Sequence, residues 1–393
     1  MHTSTAYRFT TAGSLEANPT LMRQRVSVAP FGSTFLTRRE GAMLAHCLVV
    51  PRTSSASPQP TSSPHPPWLR MSAEDARSRV LSVRSREHVY RVVAALDQGR
   101  TMTVEQIEAL TDISKFAAGA RSLLSAMWNA GLVELCQLGP MFQPGPRQRD
   151  GFLVRPTKLG AVLHELEDQM SYPEWLSTTA GMPFDSDRQF ARHNVLATEL
   201  GLRMAEFGNV GTVLGEKLSS MSLLAYAGVG DQVPTTGASG GSDLTLVRSD
   251  GLRIAVEVAA SVTGGWIYDK VERLVRVLHR RPLARTGLCV LFVVAPRRES
   301  VSQAPREVLR KVKQDIQKAV RAYPGRHGDL TANRIGVVSW ADLFPDGTTA
   351  VADLRKLPIE RPTGRATRTG RTCGSGRTSS TLSRCRSPRT TRE

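Results

Sequence analysis

Residues 132–166 read LVELCQLGPMFQPGPRQRDGFLVRPTKLGAVLHEL, and this stretch decides the fold of the N-terminal part. Leu132–Leu138 alternates apolar and polar residues, the period of a strand with one buried face. Gly139–Asp150 is polar and rich in Pro and Gly, which marks a loop. Phe152–Arg155 returns as a second strand, Pro156 stops it, and Thr157 opens a helix through Leu166. Upstream, Glu87–Leu96 places Val89, Val92 and Leu96 at helical spacing. Thr103-Val-Glu-Gln starts a second helix with a capping-box pattern, running through Ile107 and Leu110. Asp112 and Ser114 are suited to cap a third helix, Lys115–Ala130, and Gly131 to end it in a left-handed conformation. Helix, helix, helix, hairpin, helix is the order of a winged helix.

That order predicts duplex-DNA binding by groove entry of the third helix, with the wing on neighbouring phosphates. Phe116, Ala120, Leu123, Leu124, Met127 and Trp128 should face the core. Lys115, Arg121, Ser122 and Ser125 are then left for DNA. Arg147 and Arg149 fall at the wing tip, with Arg155 and Lys158 beside it. The alternative is a winged helix used for protein contacts.

From Asp185 the pattern changes. Arg188–Glu206 reads as a helix and Val210–Leu214 as a short strand. The Gly-rich segment Gly228–Ser242 is a loop. Asp243–Val247 and Ile254–Ala260 read as strands joined by the turn Ser249-Asp250-Gly251. Trp266–His279 is an amphipathic helix, Leu288–Val294 a buried strand, Arg306–Ala322 a helix and Ile335–Trp340 a last strand. The order α-β-β-β-α-β is the core order of the restriction-endonuclease-like fold. The whole is therefore an α/β chain with an α+β winged-helix domain in front.

Acidic residues fall where that fold carries its chemistry. Asp243 begins one hairpin strand, and Glu257 interrupts the apolar run Ile254-Ala-Val-Glu-Val-Ala-Ala260. A carboxylate inside a buried strand is costly unless it is paired, hydrogen-bonded or metal-bound. In nucleases of this fold two such acids bind Mg²⁺, here Asp243 and Glu257, and a Lys two residues past the second acid completes the set. That position is Ala259 in this chain. Lys270, on the following helix, is the residue placed to substitute. Glu199 on the first helix and Glu216 after the first strand are further candidate ligands. The constellation Glu199, Asp243, Glu257, Lys270 leaves three readings open: an active Mg²⁺-dependent nuclease, a degenerate nuclease fold serving DNA binding or assembly, and an unrelated α/β domain.

Other chemistries lack support. Gly237-Ala-Ser-Gly-Gly241 matches GxSxG, but no strand precedes it and no helix follows, as a nucleophile elbow requires. The chain has no P-loop and no HExxH. His193 reads as a structural or capping histidine rather than a catalytic one. The five cysteines form no CxxC pair, so a zinc site is not indicated. Cys289 reads as a buried thiol and a reducing cytoplasm fits. No apolar run approaches a membrane span. Arg38-Arg39 before Ala42–Val50 is too far from Met1 to read as an export signal.

The net charge of +17 suggests a polyanionic partner, but it is unevenly spread. Residues 1–70 hold seven Arg against two Glu, and residues 362–393 hold eight Arg against one Glu. Twelve of the excess charges lie in these two segments, leaving +5 for residues 71–361. Residues 1–70 read as disordered or as an upstream extension, with Met71 as the biological start. Residues 362–393 read as a disordered basic tail. The domains expected are thus 71–170, winged helix, and 185–345, restriction-endonuclease-like.

The exit FLVRPTKLG, the helix start Arg192-His193-Asn194, the Glu216-Lys217 step and the run Ser242-Asp-Leu-Thr-Leu…Ile254-Ala-Val-Glu-Val-Ala-Ala-Ser261 together resemble the replication-relaxation family of actinobacterial plasmid and integrative-element proteins. The resemblance covers about residues 85–345. It implies a double-stranded-DNA-binding protein acting in plasmid replication, relaxation or transfer. Other replication or transfer proteins and a second copy of the chain are further partners to expect, with no membrane. The alternatives are a Mg²⁺-dependent endonuclease or nickase targeted by its winged helix, and a winged-helix transcriptional regulator. The first reading requires no cofactor; the nuclease requires Mg²⁺.

Overall fold

The computed structural model describes residues 48–49, 71–137, 152–157, 161–184, 191–207, 210–220, 224, 241–248, 250–259, 266–295, 305–326 and 328–343. The architecture is mixed α/β, with eleven helices, a mixed five-stranded sheet and small antiparallel sheets among the described residues. The chain divides into two compact units, with the boundary in sequence between Thr198 and Glu199.

The first unit opens with α1 (Ala73–Leu81), capped by the Ser72 hydroxyl, which accepts from the Asp75 amide at 3.1 Å. Helix α2 (Val83–Gly99) buries Val89, Val92, Val93 and Leu96. Strand β2 (Met102–Thr103) leads into α3 (Val104–Thr111). The expected capping box is present: Thr103 Oγ1 accepts from the Gln106 amide and Gln106 Oε1 accepts from the Thr103 amide, both at 3.1 Å. Helix α4 is Leu123–Asn129. Strands β3 (Val133–Gln137) and β4 (Phe152–Pro156) pair antiparallel, followed by α5 (Ala161–Asp168) and α6 (Tyr172–Thr179). Leu48–Val49, within the stretch read as lacking structure, forms β1 on the free side of β3. The sheet order is β1-β3-β4-β2.

The third helix differs from its expected span. Residues 112–121 are turns, not helix. Gly119 has φ +87°, which breaks a right-handed helix, and Ser122 then caps α4, its hydroxyl accepting from the Ser125 amide at 3.1 Å. Phe116 is buried all the same, because the Leu124 amide donates to its carbonyl at 3.0 Å and folds the turn back.

Helix α7 (Ala191–Phe207) runs across the sequence boundary into the second unit. There β5 (Thr212–Gly215), β6 (Leu244–Val247), β7 (Arg253–Ala259), β8 (Leu288–Val294) and β11 (Ile335–Ser339) form one sheet. Its order is β11-β8-β7-β6-β5. Strand β6 is antiparallel to both neighbours, while β7, β8 and β11 run parallel. Helices α8 (Trp266–Arg280) and α10 (Pro305–Ala322) are the crossovers that parallel neighbours need. A short α9 (Leu283–Thr286) precedes β8, a hairpin β9 (Gly325–Arg326) and β10 (Asp329–Leu330) precedes β11, and α11 (Trp340–Leu343) follows it.

The period of two along the strands sorts the faces. Ala255 and Ala259 of β7 pack with Ile267, Val271, Leu274 and Leu278 of α8 and Val308, Val312 and Ile316 of α10. Val213, Leu244 and Val256 point to the other face. There Gly201 of α7 comes so close that an added Cβ would lie 3.2 Å from Val213 Cγ1 and 3.8 Å from Leu244 Cδ2. The second unit is therefore three layers: α7, sheet, then α8 with α10.

Arg334, in the 3-10 turn Thr331–Arg334 before β11, is 2% exposed. Its guanidinium donates to the carbonyls of Leu278 (2.8 Å), Arg281 (2.7 Å) and Leu288 (2.9 Å). Asp329 Oδ2 lies 3.3 Å away and balances the charge.

Candidate functional site

The strongest cluster of chemistry in the second unit lies where β6 begins. Leu244 pairs with Val256, so Asp243, one residue earlier, stands opposite Glu257. Two backbone groups of β7 hold Asp243 there. Its amide donates to Val256 O at 3.0 Å, and its Oδ2 accepts from the Val258 amide at 2.6 Å. Asp243 precedes the strand rather than beginning it.

Like charges facing each other across a strand pair destabilise it. Here the compensating cation comes from the first turns of α8. Lys270 Nζ pairs with Glu257 Oε2 and lies 3.7 Å from Asp243 Oδ1. The side chains of Glu257, Asp243 and Lys270 are 4%, 9% and 19% exposed, so the three charges share a mostly dry environment. Burial alone would lower the Lys270 pKa; the charges of Glu257 and Asp243 and the hydrogen bond to Glu257 override it and raise the pKa above the ordinary lysine value. Lys270 is thus held charged.

Position 259 itself has no room for a long side chain. Ala259 is on the same face of β7 as Glu257 and is buried among α8 and α10 side chains. A long cationic side chain there would displace this packing. Lys270 reaches the same acids from the opposing layer.

Glu199 does not join them. It sits on α7, in the layer across the sheet, and its Oε1 accepts from Arg203 Nε at 2.8 Å. Glu216 lies in the 3-10 turn Glu216–Ser219. Among the described residues no group of three or more His, Cys, Asp or Glu is placed to hold a metal ion. Asp243 and Glu257 are therefore a two-acid set with a resident cation. Cys289 is a buried free thiol on β8.

In the first unit the residues expected to read DNA separate into three groups. Lys115 and Arg121 are exposed, on the turn before α4. Ser122 and Ser125 are not: both are buried, Ser125 completely, and Ser122 is spent as the cap of α4. Their assignment to DNA contact is corrected on that ground. Leu123 to Trp128 are all buried and only Asn129, at the end of α4, is partly exposed, so the helix offers no continuous solvent face. Arg147, Arg149 and Lys158 lie outside the described residues. Arg155, expected to add to a basic wing, is paired across the hairpin with Glu134, its Nε 2.8 Å from Glu134 Oε2.

No helix of the described residues is long and apolar enough to cross a membrane. No protein-family model matches the chain, and no curated protein and no solved structure is significantly similar to it.

Proposed function

We propose that the chain processes DNA, its second unit being a divalent-metal-dependent phosphodiesterase of restriction-endonuclease type and its first unit a winged-helix module that engages the duplex. The observation that carries this reading is Lys270, which supplies at Asp243 and Glu257 the cation missing at position 259. The sheet supports it: five strands in sequential order, with only the second antiparallel to the rest, suit that fold. In the first unit, β2 pairing with β4 closes the helix-strand-helix-helix-hairpin order as a winged helix does. The DNA contacts are then Lys115 and Arg121 on the turn rather than a face of α4.

The donor set fits a hard cation. Two carboxylates offer oxygen ligands, and with Lys270 the cluster keeps a net charge of −1. Asp243 and Glu257 would hold a Mg²⁺ ion, which supplies polarisation of a phosphoryl oxygen and a more acidic bound water. The Val258 amide keeps Asp243 oriented. Lys270 balances the paired carboxylates and keeps a charged N–H donor beside the reacting phosphate. A role in plasmid replication, relaxation or transfer, which the sequence resemblance implies, is compatible with nicking activity.

A second reading has its own support: Lys270 already neutralises part of the acid pair, as in a purely structural ion cluster. Supercoiled plasmid incubated with the protein and Mg²⁺ or Mn²⁺ separates the two. Nicking is expected, lost in Asp243→Ala and Glu257→Ala, and reduced about 10²–10³-fold in Lys270→Met. Duplex binding without nicking under either metal would overturn the nuclease and leave the binding protein.

A further inference from the structure

We propose that the outer face of α8 and α10 is a docking surface for the sugar–phosphate backbone of DNA. The inference rests on the reading of the protein as DNA-processing and adds a place where the substrate lies. Helix α10 carries six Lys or Arg against two acids, and α8 four against two. Their combined excess, +6, is larger than the +5 of all residues 71–361. The rest of that region is therefore slightly acidic, and the basic charge between the two terminal segments is concentrated on one helical layer.

Lys270 is turned inward to Glu257 and Asp243, and the geometry turns most of the other basic residues outward. The apolar stripes of both helices pack on the sheet, which leaves Arg273, Arg276 and Arg280 at i, i+3 and i+7 of α8 on the side away from it. Arg306, Arg310 and Arg321 take the corresponding side of α10. Side chains bridge the seam between the helices. Lys318 Nζ stands 4.2 Å from the Tyr268 ring centroid, and the Tyr323 hydroxyl donates to Glu272 Oε1 at 3.0 Å. Arg276 pairs with Glu272. Arg273, Arg280, Arg306, Arg310 and Arg321 form no ion pair among the described residues. A solvated helix face usually interleaves both signs evenly; these two helices expose eight Lys or Arg against two acids, Asp269 and Glu307.

Arg306 and Arg321 are separated by about 22 Å at 1.5 Å per residue, roughly six or seven phosphate steps of one strand at 3.4 Å. The surface also begins beside the acid cluster. Arg273 is one turn on from Lys270, near enough for its charge to act on it.

The test uses the full chain with Arg273, Arg280, Arg306, Arg310 and Arg321 all changed to Gln, thermal unfolding verifying that these surface changes leave the fold intact. Affinity for a duplex of about 30 base pairs is measured against salt by fluorescence anisotropy. Each phosphate that the variant no longer neutralises makes the log K–log[salt] slope shallower by about 0.9. For three or more such phosphates the slope should change by about 2.7 or more. An unchanged slope overturns the proposal, even if the wild type nicks plasmid. A shallower slope supports it, even if the wild type never nicks, in which case the nuclease reading alone fails. Loss of binding to phosphatidylserine vesicles with an unchanged DNA slope would overturn it in favour of a membrane surface.

Discussion

Lys270 answers a problem set by two residues that face each other across a strand pair. Without it, Asp243 and Glu257 would be buried like charges. Breaking such a buried pair by removing one partner costs about 3–5 kcal/mol, the cost expected for Lys270→Met in urea unfolding at neutral pH. The sign of the pH dependence follows from the raised lysine pKa. Its stabilisation is fully present below the unfolded lysine value of about 10.4 and is lost as pH rises through the higher folded value. Wild-type stability should therefore fall on the alkaline side of about pH 10.4, and Lys270→Met should flatten that limb. An equally steep limb in the variant, measured by urea titrations between about pH 9 and 11.5, would contradict the assignment. Glu257 was legible in the sequence because a carboxylate in an apolar strand is conspicuous, Asp243 because it adjoins the neighbouring strand, and Lys270 because the expected nuclease set calls for a cation that Ala259 does not provide. Glu199 was misleading: spacing along α7 says nothing about which side of the sheet the helix covers.

At the scale of elements, the boundaries that carried explicit chemistry were readable. Thr103 and Gln106 form the capping box their types announced, and the apolar run Leu288–Val294 is β8 from end to end. The third helix was not readable in length. Phe116 and the apolar positions of α4 continue a helical rhythm, yet Gly119 and Ser122 divide the segment into turn and helix. Burial has the same periodicity in both cases when a turn folds its aromatic residue inward. Helix α4 is consequently a packing element. Leu124→Ala should cost about 2–5 kcal/mol, whereas Arg121→Ala on the exposed turn should stay within about 0.5 kcal/mol and act on DNA affinity. Denaturant titration of both variants checks this; a neutral Leu124→Ala would mean the helix is not held by its core face.

Over the whole molecule, the order of strands in the second unit was accessible because few topologies satisfy it: a tight hairpin places β6 beside β7, and helical crossovers place β8 and β11 on the far side. The distribution of charge was only half accessible. Counting along the chain exposed the two basic terminal segments, but the basic layer of α8 and α10 emerges only when both helices lie on one face. Arg334 left no periodic signature, being one arginine in a polar turn. Its consequence concerns time rather than strength. Its carbonyl partners on Leu288 and Leu278 are 46 and 56 residues away in sequence, so the guanidinium can dock only after α8, β8 and the β9–β10 hairpin have assembled. Contacts that close such loops form late on the folding path. Arg334→Met should thus leave the refolding rate nearly unchanged and accelerate unfolding, by roughly thirtyfold for a loss of about 2 kcal/mol. A chevron plot in which the folding limb moves instead would place Arg334 in the nucleus. On this view the residue acts as a latch, setting how long the native state lasts rather than how quickly it is found.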